Sequence, residues 1–582
     1  MLYLNLLHRP AETPAQRESF ALQQNMAHKL GLKVTLLVDY QSMCDAETVA
    51  DLQHYARDFG DELGIWFMNL PPADSDAKGV DGRREPFLWL YADEEKRRII
   101  EQVLARFHST FGFAPASVGS YHLDAESLRI LKELAPSIQV AVAGCFEEGV
   151  RVYHGCNNSW YLFSEGMPWS PWYPSKTHSL RPAQDEFDAL GIVAVPHLSR
   201  DLALSYEGRN DFFATHPANV QRAMTNDGMD NPYMYNLVDQ HRLQADFNDG
   251  FAYIHIFVGP AWIAGDFTVQ DSLEVSRQLY REFLEYFVAL REQGQATDMQ
   301  MSEFAAWYRQ NVPIGKPQVA LAKEMLYGTG KHYFWYLDSF TRILVDATQG
   351  GSIGDLRPYI AQIESHAGAS TKALWYGSYP YLIQSQHRTG NSYHYADGSR
   401  TTLLVTRNGE TLDLANVRVK AAEVTRSENE TALRLTPAHL TFSDGTKVSI
   451  ETTYRFLGGG KILVERRLLE GGEVRVQEYV KACWGVTEYP EDLREVVLTV
   501  SGQRSGEMRY QYRSRELRSE AATAVAARIP NIQTKISLES DEPRESGAAL
   551  EGYLFSPYFT LTLDGALRAG KVLRTWLNIE KL

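Results

Sequence analysis

Four cysteines in 582 residues give the chain no disulfide scaffold, so its stability has to come from packed cores. Cys145 and Cys156 lie close enough in sequence to pair across one loop; two free thiols are an equal reading. No apolar run reaches the roughly 18–20 residues of a membrane-spanning helix, so membrane insertion is not expected. Positive charge is scarce as well: 58 Lys and Arg stand against 73 Asp and Glu, a net charge of −15. That balance argues against a nucleic-acid partner and an anionic membrane surface, both of which need clustered basic side chains. No repeat of fixed period and no low-complexity tract is present. The first residues, LYLNLL, carry neither a basic leader nor a cleavage signal. The expected location is cytoplasmic, or periplasmic or secreted with a signal peptide removed.

What remains is the composition of a large folded protein, 44% hydrophobic, 23% charged and 12% aromatic. Its length exceeds one hydrophobic core, which predicts two or three domains. Up to about residue 310, short apolar runs (LYLNLL, KVTLLVDY, ELGIWFMN, ASVGSYHLD, IQVAVAG, GIVAVPHL, FAYIHIFVG) alternate with amphipathic helical segments. Seven or eight such βα units predict a distorted, TIM-like (β/α) barrel over residues 1–314. Residues 315–388 show apolar positions at three- and four-residue steps and read as a helical connector. From 389 to 582, β-rich runs split by turn signals such as NGE and SDGT read as an antiparallel β-sandwich.

One stretch has no period at all. Residues 145–184 hold Trp160, Trp169 and Trp172 and Tyr153, Tyr161 and Tyr173, mixed with Asn157, Asn158, Lys176 and the pair Glu147–Glu148. A loop of that length in a compact domain generally has a task. Flat aromatics beside amides, imidazoles and carboxylates suit a sugar, whose C–H face stacks on a ring while its hydroxyls need directional partners. An aromatic mini-core in which the loop packs on itself is the competing reading.

In a parallel barrel the chemistry sits at the C-terminal ends of the strands. That rule selects His8, Arg9 and Glu12 after strand one, Asp39 after strand two, Trp66 and Asn69 at strand three, and His122 and Asp124 after strand four. It adds Glu147 after strand five, His197, Arg200 and Asp201 after strand six, and His255 on strand seven. Glycosidic cleavage needs two carboxyl groups, one giving a proton to the leaving oxygen and one attacking or activating water. Asp124 and Glu147 are the expected pair, with Asp39 in reserve. Asp124 also precedes AESLRIL, where an Asp caps a helix. His8, Arg9, Glu12, Trp66, His122, Trp160, Trp169, Trp172, Tyr173, Lys176, His197 and His255 are the expected sugar-binding residues. No cofactor is expected; a divalent metal among the strand-end histidines is an open alternative that no H-x-H or H-x-x-x-H spacing supports.

Several of these segments resemble a known fold family. GDELGIWFMN is similar to the G-H-E-[IL]-G-x-H-T segment of polysaccharide deacetylases of the NodB-homology type. GFAPASVGSYHLDAESLRILKEL resembles their G-x-x-P-x-x-x-R-P-P-x-G segment, and GLKVTLLVDY their G-x-x-A-T-F-F strand. The resemblance implies a (β/α) barrel, but Trp66 and Leu70 stand where that family has its metal-binding histidines, and LLHRPAE replaces T-F-D-D-G. The order of barrel, connector and sandwich resembles glycoside hydrolase families 38 and 57, which implies a catalytic carboxylate on strand four, here Asp124. The loop segment WYPSKTHSLRPAQ resembles an uncharacterised family of bacterial carbohydrate enzymes. The expected function is therefore a bacterial glycoside hydrolase acting on an oligo- or polysaccharide, with self-association open. A lyase, epimerase, atypical deacetylase or non-catalytic saccharide binder is the alternative.

Overall fold

The computed structural model describes all residues except 12, 72–87, 121, 145–169, 205–214, 225–230, 261–272, 363–381, 385–398, 484–495, 503–505, 510–514 and 552–557. Its first sheet is built from apolar runs such as VTLLV and AYIHIFV, buried along their whole length. A strand with apolar side chains on both faces must be covered on both, as in a parallel barrel ringed by helices. The strands are β1 (Leu2–His8), β2 (Val34–Val38), β3 (Glu62–Trp66), β4 (Ser117–Gly119), β5 (Val140–Gly144), β6 (Val193–Pro196), β7 (Ala252–Val258) and β8 (Ala296–Asp298). They lie in the order β6-β5-β4-β3-β2-β1-β7, every pair parallel, with β8 beside the start of β1. The sheet curls into a TIM-like half-barrel, as expected.

Alternation along each strand separates two cores. Leu4, Leu6, Leu36, Ile65, Ile254 and Ile256 face outward into a cluster shared with the helices. Those helices include α1 (Arg17–Lys29), α2 (Ala46–Phe59), α3 (Asp93–Phe111) and α4 (Ala125–Leu134). Next come α5 (Pro217–Met224), α6 (Tyr233–Arg242) and α7 (Leu273–Glu292), whose Leu279, Phe283, Leu284 and Phe287 form one apolar stripe in the same cluster. Each fully buried side chain of that size contributes about 1.5–3 kcal/mol. Leu7, Leu37, Trp66, Val142, Val195, Tyr253 and Phe257 face inward.

The N-terminal end of the barrel is plugged by α8 (Met301–Asn311), whose Met301, Phe304, Ala305 and Tyr308 join the inner core. Its first turn is tied down by a Gln300/Glu303 capping box, by Met301 N–H donating to Thr35 Oγ1 at 3.0 Å and by Ser302 N–H donating to Glu62 at 3.0 Å. Functional groups are thereby left to the opposite, C-terminal mouth.

Between β6 and β7 the sheet path ends, and side chains span the seam. His255 Nδ1 meets the Pro196 carbonyl at 2.6 Å, Ser199 Oγ accepts from the His255 N–H at 2.8 Å, and Thr215 Oγ1 donates to the His255 carbonyl at 2.6 Å.

The described part of the segment expected as a helical connector is instead an antiparallel sheet of β9 (Gln318–Lys323), β10 (His332–Leu337), β11 (Arg342–Asp346), β12 (Ile353–Arg357) and β13 (Ile383–Gln384). Ala320, Ala322, Tyr333, Trp335, Leu337 and Leu344 pack on the barrel side, whereas Val319, Phe334, Tyr336, Ile343 and Val345 pack on the C-terminal side. A strand wedged between two cores loses its polar face, and with it the alternation that distinguishes it from a buried helix. The remaining strands, from Arg400 to Lys581, form one large antiparallel sheet-rich region with fourteen strands among the described residues, consistent with the expected β-sandwich.

Candidate active site at the C-terminal mouth of the barrel

Four strand ends converge on one polar cluster. Arg9, just past β1, holds its guanidinium 5.9 Å from the Trp66 ring centroid, a cation–π distance. The Trp66 ring lies 5.0 Å from Phe257 and 5.9 Å from His197, and His197 lies 4.9 Å from Phe257. The indole fits only because β4 carries Gly119, where a Cβ would stand 2.9 Å from the Trp66 ring. His197, Arg200, His216 and His255 are each at most 4% exposed. Burial, reinforced by the charges of Arg200, His255, Arg9 and His216, holds the His197 imidazole well below its usual pKa, so it is neutral.

His255 is the most constrained member. A carbonyl only accepts, so its bond to Pro196 places the ring proton on Nδ1 and leaves a lone pair on Nε2. Nε2 is buried and has no hydrogen-bond partner among the described residues. Burial lowers this imidazole to about 4, outweighing the Pro196 bond.

Beside this cluster, Asp39 stands after β2. It accepts from the Ser42 N–H at 2.7 Å and from Asn69 Nδ2 at 3.1 Å. Asn69 has φ 51, a left-handed conformation that Asn tolerates better than most residues.

Asp124 has a different environment. It is the N-cap residue of α4, and its carboxylate is ion-paired at 2.7 Å with Lys96 of α3, whose side chain is 0% exposed. Ser127 Oγ donates to its other oxygen, and Lys96 also reaches Asp93 at 3.1 Å. Burial pushes the Asp124 carboxyl up, but Lys96 and Ser127 prevail and keep it below the usual range. The Asp124 carboxyl is therefore ionised at neutral pH, the state opposite to that of a general acid. Nearby His122 packs edge-on to Trp89 at 5.7 Å and is lowered to about 4, mainly by burial.

Four other expected site residues lie elsewhere. His8 is on the outward face of β1, bonded to Gln24 of α1 and Tyr280 of α7, because its neighbour Leu7 takes the inward position. Trp172 is 2% exposed in the outer core, with its indole N–H donating to the Ser179 carbonyl at 2.8 Å. Tyr173 donates its hydroxyl to the Val312 carbonyl at 2.6 Å, just past the plug helix α8. Lys176 donates to the Phe187 carbonyl. The chain from Pro171 bridges Ala194 in antiparallel sense and so descends beside β6, away from the mouth. Trp172, Tyr173 and Lys176 bond to scaffold carbonyls and are not among the groups gathered at the mouth. Glu12, Glu147, Trp160 and Trp169 lie outside the described residues, as do Cys145 and Cys156.

Sequence reasoning missed Lys96, Gly119, His216 and Phe257. Phe257 was available from the two-residue step out from His255; Lys96, on another helix, gave no signal. Among the described residues no group of three or more His, Cys, Asp or Glu is arranged to hold a metal. No helix among them is long and apolar enough to cross a membrane.

A curled parallel βα barrel with its polar cluster at the C-terminal mouth, followed by an antiparallel region, defines the class. Over residues 7–316 the sequence matches DUF3863, a domain of unknown function with a solved structure, and the chain belongs to that family. No curated protein matches it in sequence. Among solved structures, it is similar to a candidate glycoside hydrolase/deacetylase from Parabacteroides distasonis, with 15% identity, 64% of this chain and 88% of that one covered, and a TM-score of 0.46. It is also similar to the 4-alpha-glucanotransferase from Thermococcus litoralis, with 11% identity, full coverage of both chains and a TM-score of 0.30. A candidate polysaccharide deacetylase from Mycobacterium smegmatis shares 11% identity over 54% of this chain and 93% of its own, with a TM-score of 0.30. These overlaps are too loose to carry an argument about activity.

Proposed function

We propose that the protein is a carbohydrate-active enzyme, a glycoside hydrolase that cleaves an oligo- or polysaccharide at the C-terminal mouth of its barrel. The observation that carries this reading is the meeting of Arg9, Trp66, His197 and His255 from four strand ends, at the end of a parallel barrel where such folds place their chemistry. An aromatic floor, fixed donors and neutral imidazoles suit a ring with apolar faces and a hydroxylated rim. In this reading Asp39 and Glu147 supply the two carboxyl groups, while Asp124, tied to Lys96 and Ser127, anchors α4 at the edge of the site. The chemistry calls for no cofactor.

The test is a screen of the full chain against aryl glycosides and polysaccharides, followed by Asp39→Asn and Glu147→Gln. Each substitution is expected to lower kcat on a cleaved substrate by about 10²-fold or more. Absence of any cleaved glycoside removes the hydrolase reading, whereas full turnover in both variants removes Asp39 and Glu147 from the mechanism. One observation favours a second saccharide chemistry. His255 Nε2 offers an uncommitted acceptor of the kind a lyase or epimerase needs for its proton, although burial makes it a weak base, and products formed without addition of water would select that chemistry.

A further inference from the structure

His255 is held more tightly than a core histidine needs to be. Its N–H, its carbonyl and its Nδ1 are all engaged, by Ser199, Thr215 and Pro196 respectively. The ring cannot turn over without breaking the 2.6 Å bond across the β6–β7 seam. Its same-face neighbours on β7 are Tyr253 and Phe257, with ring centroids 6.3 and 6.4 Å away, and both belong to the inner core. Nε2 therefore points into the barrel and not into the helix layer, where Ile254 and Ile256 pack. It is 0% exposed, and an acceptor buried without a donor costs about 1–3 kcal/mol. Such a cost persists where a donor arrives from outside the chain. His122 repeats the arrangement: it bonds the Ala143 carbonyl of the neighbouring strand and leaves its own Nε2 without a partner among the described residues.

We infer that His255 is a specificity-determining acceptor: its fixed Nε2 lone pair receives the hydrogen of a neutral hydroxyl group on the ligand that enters the mouth. This rests on the saccharide reading above and narrows it. A lone pair locked in this orientation welcomes O–H and repels carboxylate or phosphate oxygen, so the part of the substrate that reaches the inner face of β7 is an uncharged polyol edge. A negatively charged sugar is accommodated only with its charge directed elsewhere, such as toward Arg9.

Two substitutions separate acceptor from seam. His255→Asn keeps an N–H near the Nδ1 position for the Pro196 carbonyl and removes Nε2; His255→Gln restores a carbonyl oxygen near Nε2 and gives up the seam bond. The full chain, labelled with nitrogen-15 histidine, is titrated with D-glucose, D-galactose and D-mannose, and binding is read independently by saturation transfer to the sugar protons. Expected are an unprotonated Nε2 on His255, a change in its resonance with at least one sugar, at least about tenfold weaker binding of that sugar by a folded His255→Asn, and partial recovery in His255→Gln. A protonated Nε2 overturns the inference at once. Sugar binding that His255→Asn leaves unchanged overturns it while sparing the saccharide reading. Absence of saturation transfer from all three sugars counts against both.

Discussion

Two buried polar regions lie on the same rim of the barrel, and they are built on opposite rules. At the β4–α4 corner, Asp124 and Lys96 are both charged, and each has its partners: Lys96 with Asp93, Ser127 on the carboxylate. At the β6–β7 seam, the imidazoles of His197 and His255 stay neutral by burial beside the charged Arg200, and His255 retains a lone pair that no described residue uses. Desolvation penalises charge unless it is paired, so a completed ion pair is an architectural element, whereas a neutral group with spare hydrogen-bonding capacity is held ready for something else. On the function proposed above, the carboxylate at strand four anchors α4, and the imidazole on strand seven is the candidate for contact.

The largest effect should come from breaking the corner. Lys96→Met strands a buried carboxylate, and chemical denaturation of the full chain should register a loss of about 3–5 kcal/mol in the unit that contains the barrel. The double variant Lys96→Met/Asp124→Leu should recover most of that loss, because the uncompensated charge is then gone. A single variant as stable as the parent would show that the pair is not the structural element described.

Acidification should divide the two regions next. His255 titrates near 6.5 when unfolded and at about 4 when folded. Between those values the unfolded chain binds the extra proton, so the stability contributed by the neutral imidazole is intact above pH 6.5 and falls as the pH drops toward 4. The folded Asp124 carboxyl sits below 3.8, so the corner keeps its stability through that window and loses it only at lower pH. Glu62 and Asp201, buried with raised pKa, pull the total in the opposite direction, which makes a difference measurement the clean one. Relative to His255→Asn, the parent should lose about 3 kcal/mol across the window, since each tenfold change in proton affinity is worth about 1.4 kcal/mol. Equal pH profiles for the two chains would mean that His255 is not held neutral.

The barrel was legible because its strands are short apolar runs separated by helices with a clear apolar stripe, as in VTLLV followed by the 46–59 helix. HYFWYL and RILVD resist such a reading because each lies between two cores, with Trp335 facing one and Phe334 the other, which erases the two-residue period. Strand-end position brought Arg9, Trp66, His197 and His255 forward correctly as neighbours, yet it also nominated His8. Parity decides between them: Leu7 faces inward, so His8 faces the helices. Lys96 was beyond reach of the sequence, since a helix residue 28 positions before Asp124 becomes its partner only when α3 and α4 pack.

The smallest effect tests whether the segment after Pro171 belongs to the site or to the scaffold. Trp172 and Tyr173 are among the aromatics of the loop expected to bind a sugar, but Tyr173 donates its hydroxyl to the Val312 carbonyl below the barrel, beside Tyr308 at 5.3 Å. Tyr173→Phe keeps the ring and removes one half-buried hydrogen bond, so stability should fall by about 1 kcal/mol. KM and kcat on any substrate the mouth accepts should stay at parental values, because the hydroxyl faces the plug helix at the opposite end. A KM that rises while stability is unchanged would return Tyr173 to the substrate and make the descending segment part of the site.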